Sequence, residues 1–268
     1  MPGRSERWGV WGAMSGPPTN TAALELTNVS KAFGGLLAVD GVSFTLAAGE
    51  RRAIIGPNGA GKTTLFSLIS GEQAVTSGAI RLFGRDVTRA AAHRRAALGL
   101  ARTYQITNLF PRLTALDNCV LAVQALSPTK FHLHRPLAGY TDHFVRARAV
   151  LESVGLGGKE QDAVRNLSHG EQRQLEIALS LARSPRLLLL DEPTAGLSPG
   201  ESQLMVELLK RLDPAITILI IEHDMDVAFE VTNRITVLHY GRVVAEGLAH
   251  EVKTNPLVQE IYLGALDD

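Results

Sequence analysis

The stretch RRAIIGPNGAGKTT at 51–64 constrains this chain more than any other. A short apolar run ending at Ile55 leads into a glycine loop, which opens onto Lys62, Thr63 and Thr64. The spacing of Gly56, Gly61, Lys62 and Thr63 is the P-loop pattern, in which a strand delivers backbone N–H groups to a phosphate and a helix starts behind them. Glycine at 56, 59 and 61 admits backbone angles closed to other residues and brings the chain close to an anion without an intervening Cβ. Pro57, Asn58 and Ala60 complete the same cradle. The spacing predicts a helix over about Lys62 to Ser70, ended by Gly71, with its positive end aimed at the anion. Lys62 then meets the β- and γ-phosphates of a nucleotide, Thr63 ligates Mg²⁺, and Thr64 faces the phosphates beside it.

The 268 residues allow one large domain or a core carrying a substantial insertion. A hydrophobic fraction of 45% supports a filled core over most of the chain. Lys+Arg 27 balances Asp+Glu 27, so no net field draws a polyanion, and no basic cluster substitutes for one. Nucleic acid is therefore not an expected partner. The single cysteine, Cys119, has no disulfide partner and reads as a small buried apolar residue. No apolar run approaches the ~18 residues that cross a bilayer. Residues 1–22, with SGPPTNT and broken apolar pieces, read as a disordered tail without a secretion signal, and Met14 is an alternative start.

From Leu24 the chain alternates in short bursts, LELTNV and VSFTL, with Gly34-Gly35 and Asp40-Gly41 between them, as short antiparallel strands joined by turns do. Phe33 in the first turn either folds back on the core or offers a flat face to an adenine ring. AIRLFG at 79–84 extends this small sheet. From about 90 to 182 the spacing turns helical, with Ser127 to Asp142 the least patterned part. His132 and His134 form an H-x-H pair there, but with no cysteine or carboxylate at ligand spacing they read as a solvated loop. After Pro185, LLLLDE and AITILIIEHD read as buried parallel strands. Ser198-Pro199-Gly200-Glu201 starts a helix with a capping box and proline at its first position. ITVLHYGRVVAEG is a hairpin turning near Tyr240 to Arg242, and a helix over about 250–263 closes the chain.

Two further motifs bear on chemistry. Asp191-Glu192 ends the leucine strand, and in an open parallel sheet ligands bind beyond the carboxyl ends of the strands. Asp191 fits a carboxylate that holds Mg²⁺, and Glu192 is placed to polarise an attacking water. Leu167-Ser168-His169-Gly170-Glu171-Gln172 opens an amphipathic run; Ser168 and Glu171 form a capping box, and Ser168 with Gly170 also makes a phosphate-binding helix end.

These motifs together resemble the ATP-binding-cassette ATPases from about Leu24 to the C-terminus. GPNGAGKTT matches the family's Walker A, LSHGEQ its signature, and LLLLDEP its Walker B with the catalytic glutamate. Gln105, in ARTYQITNLF, matches the Q-loop, which the family places at the Mg²⁺ and uses to link nucleotide to the helical subdomain. His223, in IIEHDM, matches the switch histidine at the γ-phosphate, and Phe33 occupies the place of the adenine-stacking aromatic. RTYQ, LSHGEQRQLEIA, LLLLDEPTAGLSP, EHDM and the tail NPLVQEIYLG look most like the ATPases of branched-chain amino-acid importers. Two positions depart from the general pattern. His169 and Glu171 stand for Gly and Gln in the signature, and Ser198 stands where the D-loop carries Asp.

The resemblance implies an α/β P-loop NTPase core, RecA-like, with an antiparallel β subdomain and a helical subdomain inserted at about 90–182, all within one ATPase domain over 23–268. It implies ATP and Mg²⁺ as ligands, and Lys62, Gln105, Glu192 and His223 as the catalytic set. It further implies a head-to-tail dimer, with an identical or a related ATPase, in which the P-loop of one chain faces Ser168 and Gly170 of the other. Membrane permease subunits and an external binding protein would complete an importer, with this chain peripheral on the cytoplasmic face of the cell membrane. Another cargo (urea or amide, aromatic carboxylate, exported lipid) is the alternative, and a soluble, non-transport cassette acting on nucleic acid or ribosomes a more distant one.

Overall fold

The computed structural model describes residues 22–103, 109–125 and 141–264. Gln105, His132, His134 and the tail 1–21 lie outside them. β1 (Ala22–Phe33) and β2 (Leu36–Ala47) form a hairpin around Gly34-Gly35. Asp40-Gly41, expected as a second turn, instead lies within β2, where the β1–β2 register shifts. Gly41 takes φ 63°, and its N–H goes to the Ser30 hydroxyl at 2.9 Å. A bulge spends the left-handed residue on bending the strand rather than ending it.

β3 (Arg51–Ile55) runs into the glycine loop, and α1 (Lys62–Ser70) follows, closed by Gly71 at φ 81° as the spacing predicts. β4 (Ser77–Leu82) and β5 (Arg85–Asp86) complete a four-stranded antiparallel sheet in the order β2-β1-β4-β5. After α2 (Ala92–Ala97) comes β6 (Leu100–Arg102), a strand inside a stretch that reads as helical. Helices α3 (Ala115–Ala125), α4 (Thr141–Ser153) and α5 (His169–Leu181) follow, then β7 (Leu187–Asp191), α6 (Pro199–Arg211), β8 (Thr217–Ile221), α7 (Met225–Val231), β9 (Arg234–His239) and β10 (Arg242–Leu248). Cys119 is buried in α3, and burial pushes its thiol up to about 12.

The segment expected as one closing helix is two, α8 (Ala249–Lys253) and α9 (Pro256–Gly264). Pro256 explains the break: it has no N–H to continue α8 and suits the first position of a new helix. Asn255 beside it accepts the Leu257 N–H at 3.0 Å through its side chain.

The second sheet has the order β10-β9-β3-β8-β7-β6, parallel except for β10. Its central strands β3, β7 and β8 are buried on both faces, and their residues divide by parity. Leu188 and Leu190 join Ala53, Ile55, Ile218, Ile220, Ile235 and Val237 in a core covered by α5, α6 and α7. Leu187 and Leu189 join Ile54, Leu219, Ile221 and Leu238 in a second core, covered by α1 and the antiparallel sheet. A strand sandwiched this way must be apolar at every position, which is why LLLLD shows no alternation. Each such leucine contributes about 1.5–3 kcal/mol of burial, so the ends of β3, β7 and β8 are held on a stiff edge.

Candidate functional site

The carboxyl ends of β3, β7 and β8 are adjacent, with Ile54 beside Ile221 and Ile221 beside Asp191. The glycine loop leaves this edge under tight steric control. A Cβ on Gly56 would sit 2.0 Å from the Leu238 carbonyl oxygen, and one on Gly61 2.3 Å from that of Ala38. At Gly59, φ 78° and open space coincide, leaving the crown of the loop accessible. Asn58, Gly59 and Thr63 are exposed, Pro57, Gly61 and Thr64 half-buried, and Ala60 buried. Lys62 folds back over the loop, its Nζ donating to the carbonyls of Gly56 at 2.6 Å and Pro57 at 3.0 Å. Burial lowers its pKa, while Glu192 and Asp191 act in the opposite direction. The loop thus presents a desolvated cation beside a glycine-rich backbone turn, the chemistry of a phosphate site.

Asp191 ends β7 almost fully buried. Its Oδ2 accepts from Arg102 Nη2 at 2.8 Å, while its Oδ1 has no hydrogen-bond partner among the described residues. Burial raises its pKa, opposed by Arg102. Glu192 follows with φ 48°, a left-handed turn that swings its side chain out of the strand. Its Oε2 lies 4.0 Å from His223 Nδ1. Asp191, Glu192, His223, Lys62 and Thr63 are therefore carried by one sheet edge and its loop. Asp191 Oδ1 and the Thr63 hydroxyl are hard oxygen donors suited to Mg²⁺, which usually takes one or two protein oxygens plus water and phosphate. Among the described residues no group of three His, Cys, Asp or Glu gathers around one point.

Two residues of this edge have no place in the sequence reading. Arg102 also reaches Ser67, Ser70 and Glu72, so it ties β6 and α1 to Asp191. Glu222 is wholly buried, and its Oε1 accepts from Thr194 Oγ1 at 2.9 Å and more weakly from Thr194 N. Burial pushes its carboxyl up to about 7; the Thr194 bonds oppose the rise and Glu192 and Asp224 add to it. A charged residue placed directly after four apolar strand positions, Ile218 to Ile221, was the available signal for Glu222.

Ser168 and Gly170 lie elsewhere. Ser168 caps α5, accepting from Glu171 N and completing the capping box. Ser168 and Gly170 line a cleft of about 410 Å³ with Glu152, Glu171, Glu201 and Leu204, and no residue of the glycine loop borders it. Phe33 is 46% exposed, with the Lys31 ammonium 5.0 Å from its ring centre, so it is not folded into the core.

Residues 39–195 match the family model described as ABC transporter. The chain belongs to that family. It is similar to the high-affinity branched-chain amino acid transport ATP-binding protein BraF of Pseudomonas aeruginosa, 35% identical over 254 residues and covering 90% of this chain and 97% of BraF. The ADP conformation of MJ1267, an ATP-binding cassette of an ABC transporter, superposes with a TM-score of 0.81 at 29% identity, covering 92% of this chain and all of that one. A dimeric post-hydrolysis state of the cassette MJ0796, bound to ADP and Pi, matches with a TM-score of 0.70 at 27% identity, covering 84% and 98%.

The chain is thus a nucleotide-binding cassette, and ATP hydrolysis coupled to transport is what such cassettes do. Its D-loop position, Ser198, is the N-cap of α6, accepting from Glu201 N in a second capping box. Among the described residues no helix is long and apolar enough to cross a membrane.

Proposed function

We propose that this cassette is the ATP-hydrolysing subunit of an importer for branched-chain or related amino acids. The observation that carries the hydrolytic half is Glu192 standing beside His223 on the edge that holds Lys62 and Asp191. Glu192, half-buried and swung out by its positive φ, orients a water and accepts its proton as the oxygen attacks the γ-phosphorus. His223, exposed at the same edge, contacts the γ-phosphate and holds Glu192 in line. Lys62 leaves the Gly56 and Pro57 carbonyls for the β- and γ-phosphate oxygens and offsets the charge of the transferred group. Mg²⁺, when bound by Thr63, Asp191 and Gln105, neutralises the phosphate oxygens further. Phe33 stacks on the adenine.

The dimeric MJ0796 structure supports a sandwich in which Ser168 and Gly170 face the nucleotide on an opposing cassette, identical or related. The similarity to BraF, a branched-chain amino acid transport ATP-binding protein, supports the cargo, and permease subunits with an external binding protein supply the path. The cassette then sits peripherally on the cytoplasmic face of the membrane.

Glu192→Gln is the direct test of the chemistry. ATP binding should persist while steady-state turnover falls by about a hundredfold or more; turnover near wild type would show that Glu192 is not the base. ATP-dependent uptake of labelled leucine into vesicles carrying the permease subunits tests the cargo. Uptake of urea or an aromatic acid in its place would reassign it.

A further inference from the structure

The Glu201 carboxylate closes two helices at once. Its Oε2 accepts from Ser198 N at 3.1 Å and Ser198 Oγ at 2.8 Å, which completes the cap of α6. Its Oε1 accepts from Gly170 N at 3.1 Å and from Ser168 Oγ at 3.2 Å, across to the first turn of α5. Glu171 does not compete for these donors, because its own oxygens serve Ser168 N and the Lys159 ammonium, each at 2.8 Å. The absence of a side chain at 170 keeps the approach open, since a Cβ there would meet Glu201 Oε1 at 2.8 Å. Donation from Ser198, then from Gly170 and Ser168, holds the Glu201 carboxyl down at about 2, so it is an anion at every physiological pH.

Ser168 and Gly170 are the donors that the proposed function assigns to the nucleotide of an opposing cassette, and the following step rests on that reading. We infer that Glu201 is a positioning residue of the signature half-site: its carboxylate stands on these donors in place of a phosphate and must be displaced before the dimer closes on ATP. One backbone N–H and one hydroxyl hydrogen cannot serve two anions well, and the anions repel one another. Displacement leaves the α6 cap intact, because the bonds from Ser198 go to the other oxygen. What opens is the link from α6 to α5, so occupation of the half-site is coupled to release of the signature helix. The resident anion reduces apparent ATP affinity by the fraction of molecules in which the donors are free.

The test uses the full chain with Glu192→Gln as background, so that hydrolysis does not deplete the dimer. ATP-driven dimerisation is followed by sedimentation over a range of Mg-ATP concentrations. Glu201→Gln removes the charge, and Glu201→Asp retracts the carboxylate from α5 while keeping an acid at the start of α6. Both should lower the ATP concentration for half-maximal dimerisation, by roughly fivefold if four in five molecules hold the latch closed. A merely structural cap would give the opposite sign or no change, and either result overturns the inference once thermal unfolding shows both variants folded. Ser168→Ala in the same background should raise the ATP requirement. If it does not, the reading of Ser168 as a nucleotide contact fails, and the inference falls with it.

Discussion

Arg102 Nη2 donates to Asp191 Oδ2 across 2.8 Å, from the last residue of β6 to the last residue of β7. Both side chains are almost fully buried. Arg102→Ala would leave a carboxylate at the strand end with its counter-charge gone, a loss of about 3–5 kcal/mol when one member of a buried pair is removed. Urea unfolding should show this, and Arg102→Lys should recover only part, because an ammonium cannot reproduce the guanidinium fork that also serves Ser67, Ser70 and Glu72. Asp191→Asn in the alanine background should return stability. Simple additivity of the two changes would show that the pair is not coupled.

Gly61→Ala and Gly59→Ala separate backbone strain from steric collision. Both residues have positive φ, 98° and 78°, so both substitutions bear a conformational cost of about 1–2 kcal/mol. Only at 61 does the new Cβ also meet backbone, the Ala38 carbonyl at 2.3 Å. Thermal unfolding should therefore fall further for Gly61→Ala. Equal losses would mean that the start of α1 shifts freely away from β2.

The parts of this fold that could be read from sequence are those specified locally. The α1 stop at Gly71, the capping boxes at Ser168 and Ser198, and the left-handed pair Tyr240-Gly241 between β9 and β10 all follow from residues within a few positions of one another. The parts that could not be read depend on distant partners. β6 is three residues long, too short for a periodicity, and exists because β7 offers a free edge. Gly41 has the composition of a turn, but β1 pairs on both sides of it, so it forms a bulge. Arg102 and Glu222 matter through what they touch, Asp191 and Thr194, neither of which is near in sequence. The sheet edge that carries Glu192 and His223 was legible as motif order. Their 4.0 Å separation was not.

Phe33→Ala should separate ligand stacking from folding. The ring is 46% exposed, so its removal should change stability by no more than about 0.5 kcal/mol. ATP affinity should fall several-fold, in line with about 1 kcal/mol for an aromatic pair, and Phe33→Trp should restore it. A large loss of stability with unchanged nucleotide affinity would make Phe33 a packing residue.

Glu222→Gln should change how stability depends on pH. Burial holds the folded pKa of Glu222 at about 7 against a usual value of 4.5, with Glu192 and Asp224 as the charges that face it. The folded state therefore binds this proton more tightly than the unfolded chain does. Its stabilising contribution is complete below pH about 4.5 and is lost as pH rises through about 7. The full effect is on the order of 3 kcal/mol from the difference between the two values. Glutamine keeps an oxygen for the Thr194 hydroxyl, 2.9 Å away, and cannot ionise. The variant should match wild type near pH 5 and unfold at a higher temperature near pH 8. Parallel melting curves across that range would show that Glu222 is not protonated in the fold.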